Sequence, residues 1–165
     1  MRVVAGKLRH RSIQMTNLET TRETQDKVRG AIFNMIGPYF DGGVALDLFA
    51  GSGAMGIEAY SRGIDEIHLN DIEPQAIRIC KENCSSLGIK EAYFTTQDYK
   101  VFVENTKYQY DLVFLDPPYR MNEIEAILTA VEPIVKPSGQ IIFELSKESK
   151  YPTSLHSLIL LKDKV

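Results

Sequence analysis

The chain has 165 residues, 44% hydrophobic and 25% charged, with a formal net charge of −3, the proportions of one globular domain with a core of its own. No stretch approaches the roughly 18 consecutive apolar residues of a membrane-spanning helix, and the N-terminus MRVVAGKLRHR lacks the apolar core of a secretory signal. The charge is uneven: residues 1–36 hold seven Lys or Arg against three acids, a net of +4, which leaves −7 for the remainder. A basic arm on an acidic body suits an anionic partner, with a phosphate backbone the obvious candidate.

Residues 2–5 and 12–15 read as short strands around a turn at 6–11, a small basic hairpin outside the main sheet. The stretch 16–21 is polar and loop-like. From about Glu23, the residues Val28, Ile32, Phe33 and Ile36 recur at helical spacing, predicting a helix that ends at Met35 or Ile36. Thr21 or Thr24 would cap it, and Gly37-Pro38 would end it.

After a link at 39–43 the pattern alternates. Strands are predicted at 44–49, 66–70, 91–96, 111–115 and 139–145, and helices at 53–62, 74–87, 99–105 and 121–135. This order predicts an α/β fold, a mostly parallel central sheet with helices on both faces. The runs VALDLF, DLVFL and QIIFEL are almost continuously apolar, as central strands should be. Pro133 and Pro137 bracket the end of the fourth of these helices, and Gly88 and Gly139 suit a helix stop and a turn. A last strand is predicted over 155–162, after Tyr151-Pro152. Cys80 and Cys84, four apart in a helical stretch, read as buried thiols of a reducing compartment.

In an open α/β sheet the ligand crevice lies beyond the C-terminal strand ends. Four acids fall at such ends: Asp47, Asp71, Asp98 and Asp116. Asp71, about twenty residues after the glycine loop, suits both hydroxyls of a ribose. Asp98, beside Gln97, suits an adenine amine. Asp47 stands where a carboxylate reaches a cationic group such as an ammonium, and Gly51 and Gly53 permit close backbone approach. The loop from Asp47 through Phe49 reads DxFxGxG, not GxGxxG, and carries no Lys-Ser/Thr pair, so it is not a phosphate cradle. Helix capping is the plain alternative for Asp47.

Asp116-Pro117-Pro118-Tyr119 is the sharpest local signal. Two prolines fix the backbone and remove two donors. Their carbonyls and the Asp116 carboxylate make an acceptor cluster for a neutral amine, and Tyr119 offers a ring for a planar base to stack on. A simple proline turn is the plain alternative. The three histidines, His10, His68 and His156, show no ligand spacing, so no catalytic metal is expected, and Ser52 stands in no nucleophile elbow.

At these residues the chain resembles a class I S-adenosylmethionine-dependent methyltransferase. DLFAGSG resembles that superfamily's first motif, and DPPY its amine-methylating motif. More closely, the chain is similar to the bacterial RsmD family of 16S rRNA (guanine-N2)-methyltransferases, through MRVVAGKLRHR, TRETQDKVRGAIFNMI, LDLFAGSGAMGIEAYSRG and FLDPPY. The resemblance implies a Rossmann-like fold, with a hairpin arm at 1–21 and a methyltransferase domain at 22–165. It further implies S-adenosyl-L-methionine as cofactor, a cytoplasmic location, and 16S rRNA in a small-subunit assembly particle as partner.

Carried onto this chain, Asp47, Phe49, Gly51 and Gly53 would line the methionine end of the cofactor. Asp71 would hold the ribose and Gln97 and Asp98 the adenine side, with Arg22 and Thr24 as a lid near the carboxylate. Asp116, Pro117 and Tyr119 would receive the guanine. Lys7, Arg9, His10 and Arg11 would meet RNA phosphates. The chain departs from the family pattern in placing His10 where a glycine is usual and Glu23 where a proline is usual. A further C-terminal strand that completes the family's sheet is expected to be missing. The residues alone leave other acceptors open, adenine N6 or a protein glutamine amide, and also a non-catalytic RNA-binding module.

Overall fold

The structure is a computed structural model that describes residues 1–16, 26–118, 123–145, 149–152, 154–155 and 158–159. Five strands, β1 (Val44–Asp47), β2 (Glu66–Asp71), β3 (Ala92–Thr96), β4 (Tyr110–Leu115) and β5 (Val135–Phe143), form one sheet in the order β3-β2-β1-β4-β5. Every pairing in it is parallel. The helices are α1 (Asp26–Ile36), α2 (Ala54–Ser61), α3 (Pro74–Ser86), α4 (Tyr99–Asn105) and α5 (Ile124–Val131). The predicted Rossmann-like α/β architecture is the observed one.

Alternation along the strands divides the core in two. Ala45, Ile67, Leu69 and Phe114 join Phe33 of α1, Ile57 of α2 and Ile77 of α3 on one face. Leu46, Val113 and Leu115 join Phe102 of α4 and Ile127 and Val131 of α5 on the other. Both faces of β1 and β4 are covered, which is why their sequences read as unbroken apolar runs. The order of strands reverses direction between β1 and β4, the switch point beyond whose C-terminal strand ends the ligand crevice of an open α/β sheet lies.

Three sequence expectations need correction. The helix predicted to 135 ends at Val131, followed by a 3-10 turn at Glu132–Ile134, because Pro133 cannot donate within a helix and crowds the preceding turn. The strand predicted from 139 begins at Val135. Its pairing with β4 is irregular between Tyr110 and Leu112 and becomes regular at Gln140, with Pro137 and Gly139 in the interruption. The last strand predicted over 155–162 is instead split: β6 (Ser154–Leu155) pairs antiparallel with β7 (Leu158–Ile159), apart from the main sheet.

The N-terminal arm closes on itself through the antiparallel bridge Arg2–Ser12 and through backbone bonds such as that from the His10 amide to Val3 O at 2.9 Å. It is held by the body. Val3 and Ile13 are buried in the core. The Val4 and Ala5 amides donate to the two oxygens of Glu58 on α2 at 2.9 and 3.0 Å. Glu58 is fully buried and also accepts from Arg29 Nε at 3.1 Å and Arg62 Nε at 2.8 Å. Among the described residues no helix is long and apolar enough to cross a membrane.

Candidate functional site

β1 delivers Asp47, 3% exposed, to the crevice. The chain then turns through Gly51 and Gly53, at φ 57° and 86°, left-handed conformations that a side chain disfavours. Gly53 stands at the N-cap of α2 and has no side chain to cap it. Asp47 does this instead: its Oδ2 accepts the Gly56 amide at 3.1 Å. The capping reading of Asp47 is therefore correct as far as one oxygen goes. A Cβ at Gly56 would lie 2.5 Å from Leu69 Cδ2, so the helix sits tightly on β2.

Asp71 ends β2 and braces the loop. Its Oδ2 accepts the Gly51 amide and its Oδ1 the Glu73 amide, both at 2.9 Å. Each carboxylate oxygen has a second lone pair, so these bonds leave acceptor capacity for two hydroxyls. Ile72 follows with 58% of its surface exposed, an apolar side chain beside a polar crevice that the sequence did not single out.

Burial pushes the Asp47 carboxyl well above the usual carboxylate range, and the nearby charges of Asp116, Asp71 and Glu144 push it further, against the Gly56 amide. Three of the four predicted acids thus share one field. Glu144, which joins them, follows β5 and donates its amide to Leu115 O at 2.9 Å. A cation placed among these groups relieves their repulsion; an anion does not.

Asp98 stands apart. It is the N-cap of α4, its Oδ1 accepting the Lys100 amide at 2.9 Å. Gln97 donates its amide to Asp71 O at 3.1 Å. Buried Asn70 ties three strand ends together: its Nδ2 donates to Leu48 O at 3.1 Å and Gln97 O at 3.0 Å, and its Oδ1 accepts from Thr95 Oγ1 at 2.7 Å. The Phe49 ring packs on Tyr99 with centroids 5.7 Å apart. Tyr99 Oη donates to Glu123 Oε2 at 3.1 Å, and burial, then the Glu123 hydrogen bond and charge, raise its pKa to about 12.

Half-buried Asp116 and buried Pro117 follow β4 directly. Tyr119, Arg22, Thr24 and Glu23 lie outside the described residues, as does His156. His68 is away from the strand ends, between Tyr110 Oη and Glu66 Oε2 at 2.8 Å each. On the arm, Lys7 Nζ sits 4.0 Å above the Tyr60 ring and Arg11 Nη2 donates to Ser86 O at 3.0 Å. Arg9 and His10 are exposed, and His10 adopts φ 71°. Cys80 and Cys84 are buried thiols, and burial raises Cys84 to about 12.

Over residues 1–165 the sequence matches the family model described as Conserved hypothetical protein 95. It is 38% identical over 97% of its length to 90% of YlbH of Bacillus subtilis, whose name proposes an rRNA methyltransferase. It is 31% identical, over 99% of this chain and 88% of the other, to Ribosomal RNA small subunit methyltransferase D of Haemophilus influenzae. The solved structure of YhhF from Escherichia coli, described as a candidate methyltransferase, superposes with a TM-score of 0.80 at 27% identity, covering 92% of this chain and 85% of that one. The chain belongs to the Conserved hypothetical protein 95 family, a class I S-adenosylmethionine-dependent methyltransferase by fold and kinship and a relative of enzymes named for modifying ribosomal RNA.

Proposed function

We propose that this protein transfers a methyl group from S-adenosylmethionine to the exocyclic N2 amine of one guanine in 16S ribosomal RNA. The observation that carries the reading is the convergence of Asp47, Asp71 and Asp116 in one field beyond adjoining strand ends, a set of acceptors that fits a cationic ligand with a ribose at one side and an amine at the other.

When bound, the cofactor supplies an electrophilic methyl on a positively charged sulfur. Asp47 then faces its cationic methionine end, with the Gly56 amide fixing the carboxylate. Asp71 accepts from the ribose hydroxyls, and Gln97, Asp98 and the exposed side of Ile72 border the base. Asp116 and the Pro117 carbonyl accept the two N–H bonds of the amine, turning its lone pair toward the methyl carbon. The amine nitrogen takes the methyl carbon that the bound cofactor would supply, as the S–C bond breaks and its electron pair leaves with sulfur. The proton released from the nitrogen would pass to solvent by way of the Asp116 carboxylate. Alignment and a matched field provide most of the rate; no strong base is required. The guanine has to be turned out of its stack to present N2, with Tyr119 as its platform. Arg9, His10, Arg11 and Lys7 hold the backbone on the way.

The test is methyl transfer from labelled S-adenosylmethionine to naked 16S rRNA, small-subunit particles from an unmethylated strain, and duplex DNA, with nucleoside analysis. N2-methylguanosine with RNA or particles only is the expected result. Label on adenine overturns the acceptor while keeping the pocket. No transfer to any of them, with no cofactor binding by calorimetry, overturns the reading.

A further inference from the structure

Asn83, on α3 and 3% exposed, makes three hydrogen bonds through one carboxamide. Its Oδ1 accepts the Gln14 amide at 2.8 Å, and its Nδ2 donates to Gln14 O at 2.9 Å and to Ser52 O at 2.9 Å. The first two bonds occupy both backbone groups of an arm residue, as a neighbouring strand would. The third holds the middle residue of the glycine loop, between Gly51 and Gly53. Three of the four hydrogen bonds an amide side chain can make are used, and burial makes each one costly to lose.

The same helix repeats the arrangement on either side of Asn83. Nearly one turn earlier, Cys80 Sγ donates to Gly51 O at 3.1 Å. Nearly one turn later, Ser86 O accepts from the Arg11 guanidinium at 3.0 Å. The C-terminal half of α3 therefore grips both the loop that faces the proposed cofactor, from Cys80, and the arm that faces the proposed RNA, from Ser86. Asn83 bonds to both.

We infer that Asn83 is a positioning residue that couples the glycine loop to the basic arm, so that a ligand ordering the loop also orders the arm. The inference rests on the cofactor and RNA assignments made above. Coupling of this kind is reciprocal: RNA that fixes the arm tightens the cofactor loop by the same factor. A merely structural asparagine gives a different signature, a uniform loss of stability on replacement.

Amide hydrogen exchange on the full chain separates the two. The reporting amides are not themselves bonded to Asn83: Val3, His10 and Ile13 in the arm, which donate to Arg11 O, Val3 O and Met1 O, and Gly51 and Gly53 in the loop. Three proteins are compared, the wild type, Asn83→Ala, and Ile127→Val as a destabilised control in the core on the opposite sheet face. Each is measured with and without S-adenosylhomocysteine. In the wild type and in Ile127→Val the ligand is expected to slow loop and arm amides together. In Asn83→Ala it slows the loop, and the arm response falls about tenfold, the scale of one lost hydrogen bond.

An arm response in Asn83→Ala equal to that of the control overturns the inference. If the ligand binds none of the three proteins, the cofactor reading fails and the ligand-free data decide the coupling. Asn83→Ala must then speed exchange in loop and arm together beyond the control; faster exchange in only one of them, or in neither, overturns it.

Discussion

Two buried acids near α2 behave in opposite ways. Glu58, within the helix, is surrounded by donors: two guanidiniums and two arm amides. Asp47, at the head of the helix, accepts the Gly56 amide and faces three other carboxylates. A buried carboxylate whose charge is answered on every side is part of the scaffold. One left among like charges is held there by the rest of the fold, and its field is answered only when a cation arrives. The first fixes where the arm sits; the second concentrates negative charge at the strand ends.

The largest expected effect breaks the compensated acid. Glu58→Ala takes the shared carboxylate from two buried guanidiniums and from the Val4 and Ala5 amides, leaving Arg29 with Asp26 and Arg62 with the Pro38 carbonyl, at a cost of about 3–5 kcal/mol, read as a lower urea midpoint. Glu58→Leu, which also fills the space, should lose as much or nearly so because Arg29 and Arg62 remain. A loss below about 1 kcal/mol in both would erase the contrast with Asp47.

Asp47→Asn should do the reverse to stability while lowering cofactor affinity by at least about tenfold, the scale of one charge-assisted hydrogen bond, measured by calorimetry. The sign with pH follows from the raised carboxyl. Stability contributed by protonated Asp47 is complete below the ordinary carboxylate range, near about 3.9, and is lost as pH rises from there through its elevated folded value. The asparagine variant lacks that loss, so its advantage over wild type should grow with pH across that window. Asp26 runs oppositely. Burial raises its pKa, but the Arg2 amide, the Arg29 guanidinium and the N-terminal charge outweigh this and hold it low. Its contribution is present above the ordinary range and lost as pH falls through its lowered folded value. A flat difference between Asp47→Asn and wild type from pH 4 to 8 would refute the role given to the cluster.

Tyr119→Ala should slow turnover about tenfold or more, the weight of one base stacked on an aromatic ring, with cofactor affinity unchanged. An equal fall in cofactor affinity would move Tyr119 from the acceptor side of the crevice to the cofactor side. Arg9→Ala with Arg11→Ala should weaken RNA binding and flatten its salt dependence, by a slope of about 0.7 for each phosphate of a single strand that is no longer neutralised. Arg11 also holds Ser86, so its single replacement should loosen the arm more than that of Arg9 does.

The contrast between the two acids also marks what a sequence carries. Asp47, Asp71 and Asp116 were legible because each ends an apolar run, and strand ends converge in any parallel sheet. Glu144, Asn70 and Asn83 were not. Their partners, Leu115, Leu48 with Gln97, and Gln14 with Ser52, are remote in the chain, and nothing local in ELSKES or KENCSS distinguishes them. Strands covered on both faces announced themselves by composition. β5 did not announce its start, because Lys136, Pro137 and Ser138 interrupt the pattern where the pairing with β4 is irregular. The arm's positive charge was visible too. That Lys7 rests over Tyr60 and Arg11 bonds to α3 depends on packing that charge counts do not encode.

The smallest effect tests whether that arm is scaffold or surface at a single residue. His10 holds φ 71°, and its amide donates to Val3 O at 2.9 Å inside the arm's turn. A left-handed conformation costs a side-chain-bearing residue about 1–2 kcal/mol, and glycine avoids this while adding some freedom to the unfolded chain. His10→Gly should therefore stabilise the protein by about 0.5–1 kcal/mol, raising the melting midpoint by roughly 2 °C. If the imidazole also touches phosphate, RNA affinity falls in the same variant even as stability rises. Opposite movements of the two readouts would assign His10 to the RNA surface at a conformational cost. A gain in stability with RNA affinity intact would leave the strain without a function and place the arm's recognition in Lys7, Arg9 and Arg11 alone.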